Sequence, residues 1–422
     1  MVREVPRQID TNRTTTHLGK NFMIRGLRSS WNFLQRRFGH VGTRTLLLKM
    51  AVCFGCIAGL LLSRKLWLSS RSYPLTPVFE KLPVIPNRID YLVFAALLVL
   101  LALIAFTSRP QKFIVAFLVL AIYLCLLDQS RLQPWFYQYC VLLAVCAFYS
   151  RSKSASSQTQ LLNTAGLLIA LVYVWSGIQK LGVGFVDRVF PALVNPYLNS
   201  LFGRTTVLPR PLIAALPLIE VFIGIGLISR RFRNVSVAMA VLLHLFVLLL
   251  LVPFNVNSIV WPWNVAMLVL VVVLFWRRDD VLMADLLVPR QAGLQLVVLI
   301  LFGLLPLLSL FNLWDSYLSS SLYSGDFQVA VIHFNDKVKE RLPPAVQNFA
   351  EGVNGEWSIN PVRWSVRELN VPPYPEPRIF KKIAGSICAY AEDPSDVKLT
   401  IYSKPLRLTG ARTSASYSCR EL

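Results

Sequence analysis

Apolar residues in this chain come in long unbroken blocks, and polar residues fall mostly between the blocks. Nine blocks approach the roughly 20 residues that an α-helix needs to cross a bilayer. They cover about 46–62, 91–106, 112–128, 133–149, 161–179, 211–228, 235–252, 257–276 and 294–314. Asp128, Gln129 and Arg131 interrupt the stretch 112–149, which predicts a tight turn between two helices. The pattern changes after residue 314. FQVAVIHF (327–334) and VKLTIYS (397–403) read as strands, with His333 a structural residue in the first. RIFKKIAGSICAYA (378–391) reads as an amphipathic helix after the proline-rich VPPYPEP. A tail of this length buries a small core. The expected fold is therefore an all-α polytopic membrane helix bundle of about nine spans with a small C-terminal α+β extramembrane domain. Its parts are a basic arm (1–44), the bundle (45–314) and the tail domain (315–422).

Composition agrees. Of 422 residues 55% are hydrophobic and only 15% charged, and the mean hydropathy is +0.53. Soluble domains carry about 25% charge, and disorder needs low hydrophobicity. The net charge of +21 suggests nucleic acid until its distribution is read. Residues 1–314 hold 30 Lys and Arg against 10 Asp and Glu, and the tail holds 13 against 12. Cations flanking apolar spans are what membrane topology requires on the cytoplasmic side, so the partner is a lipid bilayer and no nucleic acid is implied. The arm carries Arg3, Arg7, Arg13, Lys20, Arg25, Arg28, Arg36, Arg37 and Arg44 against Glu4 and Asp10, which places it in the cytoplasm. Residues 24–40 suit a basic interfacial helix. No small-residue cleavage site closes the first apolar run, which argues against a cleaved signal peptide. Alternation then puts loops 107–111, 150–160, 229–234 and 277–293 inside, with Arg109, Arg151, Lys153 and Arg290 among their cations. It puts loops 63–90, 129–132, 180–210 and 253–256 outside, together with the tail. Sequons fall only at Asn12 and Asn234, on the predicted cytoplasmic side. The location expected is a bacterial inner membrane with a periplasmic tail.

Cys388 and Cys419 are the only cysteines in the tail, and in an exported domain they would pair. Cys53 and Cys56 form C-x-x-C inside the first span without the strand–helix context of a redox motif; Cys125, Cys140 and Cys146 read as small buried hydrophobes. No metal-ligand spacing, glycine-rich phosphate loop or nucleophile motif is evident in the tail.

Ionisable side chains inside spans are costly and mark function or mutual pairing. Lys49 sits near a helix end and can snorkel. Glu220 lies nine residues into the sixth span and His244 nine before Pro253, so both sit roughly 13 Å below the outer surface. The short connection SRRFRN makes the two helices antiparallel neighbours. A carboxylate and an imidazole at one depth suit a buried hydrogen-bonded pair. Lys180 closes the fifth span on the same side, and Asp128, Gln129, Arg131, Trp261, Trp263 and Asn264 gather in that half. Two readings stand: an outward-opening pocket, or a polar clamp between helices.

YVWSGIQKL (173–181), followed by a segment ending in NPYLNSLFG, resembles the helix-end motif of the HTTM domain, the membrane domain of vitamin K-dependent gamma-carboxylase. Glu220 in LPLIEVFIGIGL, the turn SRRFRN and His244 in LLHLFVLLL extend the resemblance over about 45–280. DoxX and MauE-type bacterial membrane proteins share the G-x-x-K-L helix end and are linked to quinone or thiol redox chemistry. DQSRLQPWFYQY (128–139) and VWPWN (260–264) look like features of bacterial members. The resemblance implies that Lys180 matches the lysine base that deprotonates a reduced quinone, with an isoprenoid quinone as cofactor. The segment that holds a glutamyl substrate is not evident, so glutamate gamma-carboxylation is not expected.

The function expected is quinone-linked redox or acid–base chemistry at an outward-facing intramembrane site, with Lys180, Glu220 and His244 catalytic. Trp261, Trp263, Asn264, Asp128 and Arg131 would contact the cofactor. The alternative is a non-enzymatic, membrane-anchored partner whose tail binds an exported protein. Transport has less support, since no inverted repeat or pair of broken helices is evident. A reporter that works only outside the cytoplasm is expected to be active when fused after Leu422 and silent at Ser154. The opposite pattern would invert the topology.

Overall fold

The computed structural model describes residues 41–149, 154–203, 208–278, 293–353 and 355–422. The basic arm up to residue 40, with its interfacial helix, lies outside the described residues, as do Arg151, Lys153 and Arg290. In chain order the helices are α1 (Val41–Leu62), α2 (Ile89–Phe106), α3 (Gln111–Leu127), α4 (Pro134–Tyr149) and α5 (Ala155–Gln179). Then come α6 (Phe190–Phe202), α7 (Arg210–Ile228), α8 (Arg233–Leu251), α9 (Trp261–Phe275) and α10 (Leu294–Phe311). Among the described residues seven helices, with α9 counted from Ser258, are long and apolar enough to cross a membrane. The helices α3 and α4 have 17 and 16 residues, about 25 Å each, and fall short of a hydrocarbon core of roughly 30 Å. Of the nine spans expected from the sequence, seven are helices of full length, and the other two are shorter apolar helices joined by a 3₁₀ turn at Gln129–Arg131. The fifth span also begins earlier than its apolar run, because Ser154 caps α5 through the Ser157 N–H at 3.1 Å. Arg44, assigned to the arm by its charge, lies in α1 and is buried.

The core of the bundle is α5, which is buried at every position from Leu161 to Ala170. It packs on α7, and glycine sets the distance. A Cβ at Gly177 would lie 2.5 Å from the Pro217 carbonyl oxygen, and one at Gly224 would lie 2.7 Å from that of Ala170. Small residues are how membrane helices bring their backbones together, since lipid supplies no hydrophobic force between them. Cys53 and Cys56 are buried free thiols in α1, and no disulfide joins them.

The tail folds as an antiparallel sheet in the order β2-β3-β1-β4-β5. Its strands are β1 (Val329–Asn335), β2 (Ala350–Val353), β3 (Glu356–Ile359), β4 (Val397–Tyr402) and β5 (Ser414–Ser418). Alternation along β1 buries Ala330, Ile332 and Phe334 and leaves His333 exposed. Trp364 and Leu369 of α11 (Pro361–Leu369) join this core. So do Ile379, Phe380, Ile383 and Ile387 of α12 (Pro377–Cys388). A disulfide joins Cys388 to Cys419.

The domain is locked onto one end of the bundle. Glu368 accepts from Ser72 N at 2.5 Å and Ser72 Oγ at 2.6 Å, Arg378 donates to Gln129 at 2.9 Å, and Asn257 donates to Tyr323 at 2.5 Å. Val183 N donates to the Arg407 carbonyl at 2.9 Å. The four loops read as outer ones thus meet the domain at a single end, through Ser72, Gln129, Val183 and the turn at Asn257.

Gly177→Val is expected to destabilise the bundle by about 1–3 kcal/mol through overpacking against backbone that cannot yield. Gly385→Ala in α12 meets nothing within 4 Å and should be neutral or gain about 0.5–1 kcal/mol. Thermal unfolding of both variants in one detergent checks the contrast.

Candidate functional site

Tyr173, Ser176 and Lys180 stand at i, i+3 and i+7 on α5 and so share one face. That face meets Glu220 of α7 and His244 of α8. The Lys180 ammonium donates to Glu220 Oε2 at 2.6 Å, Glu220 Oε1 at 2.9 Å and Ser176 Oγ at 2.6 Å. Ser176 in turn donates to Glu220 Oε2 at 2.8 Å. All three ammonium protons are engaged. The pair is largely enclosed, with side-chain exposure of 9% for Lys180 and 12% for Glu220.

His244 forms the second half. Asn264 donates through Nδ2 to the Val260 carbonyl at 2.9 Å, which turns its Oδ1 toward His244 Nδ1 at 2.8 Å. The imidazole therefore carries its proton on Nδ1 and donates it to Asn264, leaving Nε2 to accept from the Tyr173 hydroxyl at 2.5 Å.

This corrects the pairing expected from depth. Glu220 and His244 are not hydrogen-bonded to each other; each has different partners, and α5 stands between the two networks as their common support. Equal depth fixes position along the helix axes, while the faces decide which side chains touch. Of the residues expected to contact a cofactor, Asn264 reaches the cluster. Asp128 and Arg131 do not. Asp128 accepts from Arg71 at 2.5 Å and from the Thr76 hydroxyl at 2.7 Å. Arg131 donates to the carbonyls of Leu66 at 3.1 Å and Leu124 at 2.9 Å. Both close the α3–α4 turn onto the 63–90 loop, and their charges are consumed there. Trp261 donates to the Val256 carbonyl at 3.0 Å, and the Trp263 indole N–H is buried without a partner. Lys49 donates to the Thr107 carbonyl at 2.8 Å.

Charge does not single out Tyr173 and Ser176, because hydroxyls do not interrupt an apolar pattern. Their spacing from Lys180 within YVWSGIQKL is the available signal. Nor do carboxylates in the tail stand out on sequence, yet Asp326 is 6% exposed and neither of its oxygens has a hydrogen-bond partner. Burial pushes its carboxyl up to about 6, against the opposing pull of Arg407, Arg188, Arg412 and Lys404. A cavity of about 160 Å³ at this end is lined by Gln179, Asp326, Lys404 and Arg407 rather than by Lys180, Glu220 or His244. Among the described residues no group of three His, Cys, Asp or Glu is placed to hold a metal ion.

Comparison with protein families, curated proteins and solved structures finds no match to this chain.

Removing one partner of a buried ion pair strands the other charge and costs about 3–5 kcal/mol. Lys180→Met and Glu220→Leu are each expected to show that loss. The double variant should recover most of it, since a pair replaced by apolar residues leaves no orphan. Unfolding of all three in one detergent gives the cycle; additive losses would mean that the two residues do not act as a pair.

Proposed function

We propose that this chain is a multi-pass integral membrane protein that carries out proton transfer on a lipid-borne substrate of the quinol type at the Lys180–Glu220 pair. The membrane setting itself follows from seven apolar helices of membrane-crossing length. The observation that carries the chemical reading is an ion pair at 2.6 Å inside the bundle, continued along one face of α5 to the Tyr173–His244 hydrogen bond. On this reading Lys180 acts as the cation of the pair, a different role from the base that the resemblance implies. Glu220 is the proton acceptor, Lys180 is the cation that favours negative charge on the substrate oxygen, and Ser176 orients both. Tyr173 and His244 form a second proton-bearing link, with Asn264 fixing the imidazole. The donor set suits a quinol, whose phenolic oxygens need one proton acceptor and nearby donors. A bound quinone would supply the redox couple, and the chain's own residues would supply the proton path. On this reading the short hairpin α3–α4 completes nine crossings, the basic arm is cytoplasmic and the tail domain lies outside, in a bacterial inner membrane.

A second reading has one observation in its favour: every proton of the Lys180 ammonium is satisfied within the protein. That favours a clamp, with the bundle an anchor for a domain that binds an exported protein.

Organic extraction of the purified protein followed by mass spectrometry is expected to recover an isoprenoid quinone at about one per chain. In a deletion strain, Glu220→Gln at matched expression should fail to restore the phenotype, as loss of a proton acceptor costs about 10²–10⁴-fold in rate. Absence of quinone together with full rescue by Glu220→Gln, which keeps the hydrogen bonds and removes the charge, would leave the clamp.

A further inference from the structure

We propose that the cavity between the bundle and the tail domain binds the zwitterionic headgroup of a phosphatidylethanolamine-type lipid, with Asp326 taking the ammonium and Lys404 and Arg407 taking the phosphate. This site is separate from the Lys180 pair and does not depend on its chemistry. The cavity measures about 160 Å³, roughly ten times the space that one water needs. It is built from the ends of two membrane-length helices, through Gln179 of α5 and Ser309 of α10, and from the tail segments around Asp326 and 404–407.

Its charges are held in place and incompletely used. Arg407 donates to the Ile178 carbonyl at 3.1 Å and to Gln179 Oε1 at 2.7 Å, and its Nε stands 3.9 Å from Asp326 Oδ2. Gln179 is itself fixed by donating to Ser309 Oγ at 2.6 Å. The Asp326 carboxylate is pressed against glycine backbone, since a Cβ at Gly184 would lie 2.5 Å from its Oδ1. It still makes no hydrogen bond, and Ser316 Oγ, on the same cavity wall, is also buried without a partner. Lys404, half-buried on the same wall, has no hydrogen bond or ion pair among the described residues, and the carboxylates of Glu376, Asp315 and Asp326 act on it only at longer range. Unmet buried polar groups cost free energy and call for a partner.

The sign of the charges selects the class. A simple cation would satisfy Asp326 but face Lys404 and Arg407, with Arg188 and Arg412 close enough to act on the same carboxylate. A simple anion would satisfy the cations and leave Asp326 stranded. A ligand with an ammonium beside an acidic group satisfies both. The setting selects the lipid as the source. Both helices are long and apolar enough to cross a membrane, and these ends of them face the domain. Leu310 and Leu406 on the cavity wall are exposed, with Phe311, Leu313 and Leu408 exposed beside them, at 90% for Leu408. Apolar side chains at that level suit acyl chains.

The full-length protein, delipidated in mild detergent, is titrated by native mass spectrometry with phosphatidylethanolamine, phosphatidylcholine and phosphatidylglycerol of the same acyl chains. Phosphatidylethanolamine is expected to bind about tenfold more tightly than either, the scale of one hydrogen bond to a charged group. The trimethylammonium of phosphatidylcholine has no N–H for Asp326, and phosphatidylglycerol has no cation. Asp326→Asn should bring phosphatidylethanolamine down to the phosphatidylcholine level, and Lys404→Met should weaken it, each in protein that elutes and unfolds as wild type. The wild-type lipid series stands without the variants. Equal binding of phosphatidylglycerol, or an undiminished preference in Asp326→Asn, would overturn the site. Soluble O-phosphoethanolamine binding as tightly as the lipid would overturn the lipid as its source.

Discussion

The backbones of α5 and α7 touch, and the polar cluster depends on that approach. Gly177 faces Pro217 and Val221, and Gly224 faces Ala170 and Val174. These contacts are seven residues apart along each helix in opposite directions, so they run for about 10 Å of antiparallel helix. Lys180 stands three residues beyond Gly177, and Glu220 three beyond Pro217. Because the helices are antiparallel, these steps run in opposite directions and offset the two positions by about 9 Å along the axes, a gap spanned by the long lysine side chain, which leans back toward the N-terminus of α5. A larger residue at either glycine would part the helices by more than the ion pair can follow. The glycine of the G-x-x-K-L helix end thus has a physical role, because it brings α7 close enough for the lysine to find its carboxylate.

Charge elsewhere in the bundle is spent on helix ends. At the end away from the tail domain, Arg44 donates to the carbonyls of Val273 at 2.6 Å and Trp276 at 2.8 Å. Arg233 donates to Leu227 at 3.1 Å and Ile228 at 3.2 Å, and Arg278 to Leu274 at 3.1 Å. The last carbonyls of a helix have no partners within it and carry its negative pole, so guanidinium groups satisfy and stabilise them together. Three cations of the membrane part are thus used within the fold, with no external polyanion needed for them. The same cations that read as topology signals on the sequence serve in the fold as caps.

How legible each feature is in the sequence follows from the kind of signal it leaves. Apolar blocks mark the helices to within a few residues, because lipid demands them. Charge in such a block marks Lys180, Glu220 and His244. Which of them pair is a question of helix face, and depth alone does not answer it; the glycines at 177 and 224, taken as a contact stripe, point α5 rather than α8 at Glu220. Asp128 is equally visible, but its partner Arg71 comes from a loop 57 residues earlier, with no local pattern to announce it. The strands β2, β3 and β5 escape sequence reading for another reason. They are four or five residues long and carry Gly, Ser or Glu where alternation would need apolar side chains. Their place in the sheet is set by pairing with β1 and β4 rather than by their own composition.

The tail domain also constrains how anything reaches the cluster. Its 404–410 segment is bonded to the backbone on both sides of Lys180, at the Ile178 carbonyl and at Val183 N. Arg412, just past that segment, donates to the Ser403 and Phe327 carbonyls at 2.7 Å each, and the Glu368 and Arg378 contacts fix the domain to two further loops. An aqueous solute approaching along the bundle axis meets this roof. From the side, α7 presents Leu218, Ile219 and Phe222, all exposed and all within one turn of Glu220. The polar cluster is therefore separated from bulk water by a bonded protein layer and from the surrounding apolar phase only by side chains. A molecule dissolved in an apolar phase would meet the lesser barrier, and the proposal of a lipid-borne substrate rests on that asymmetry.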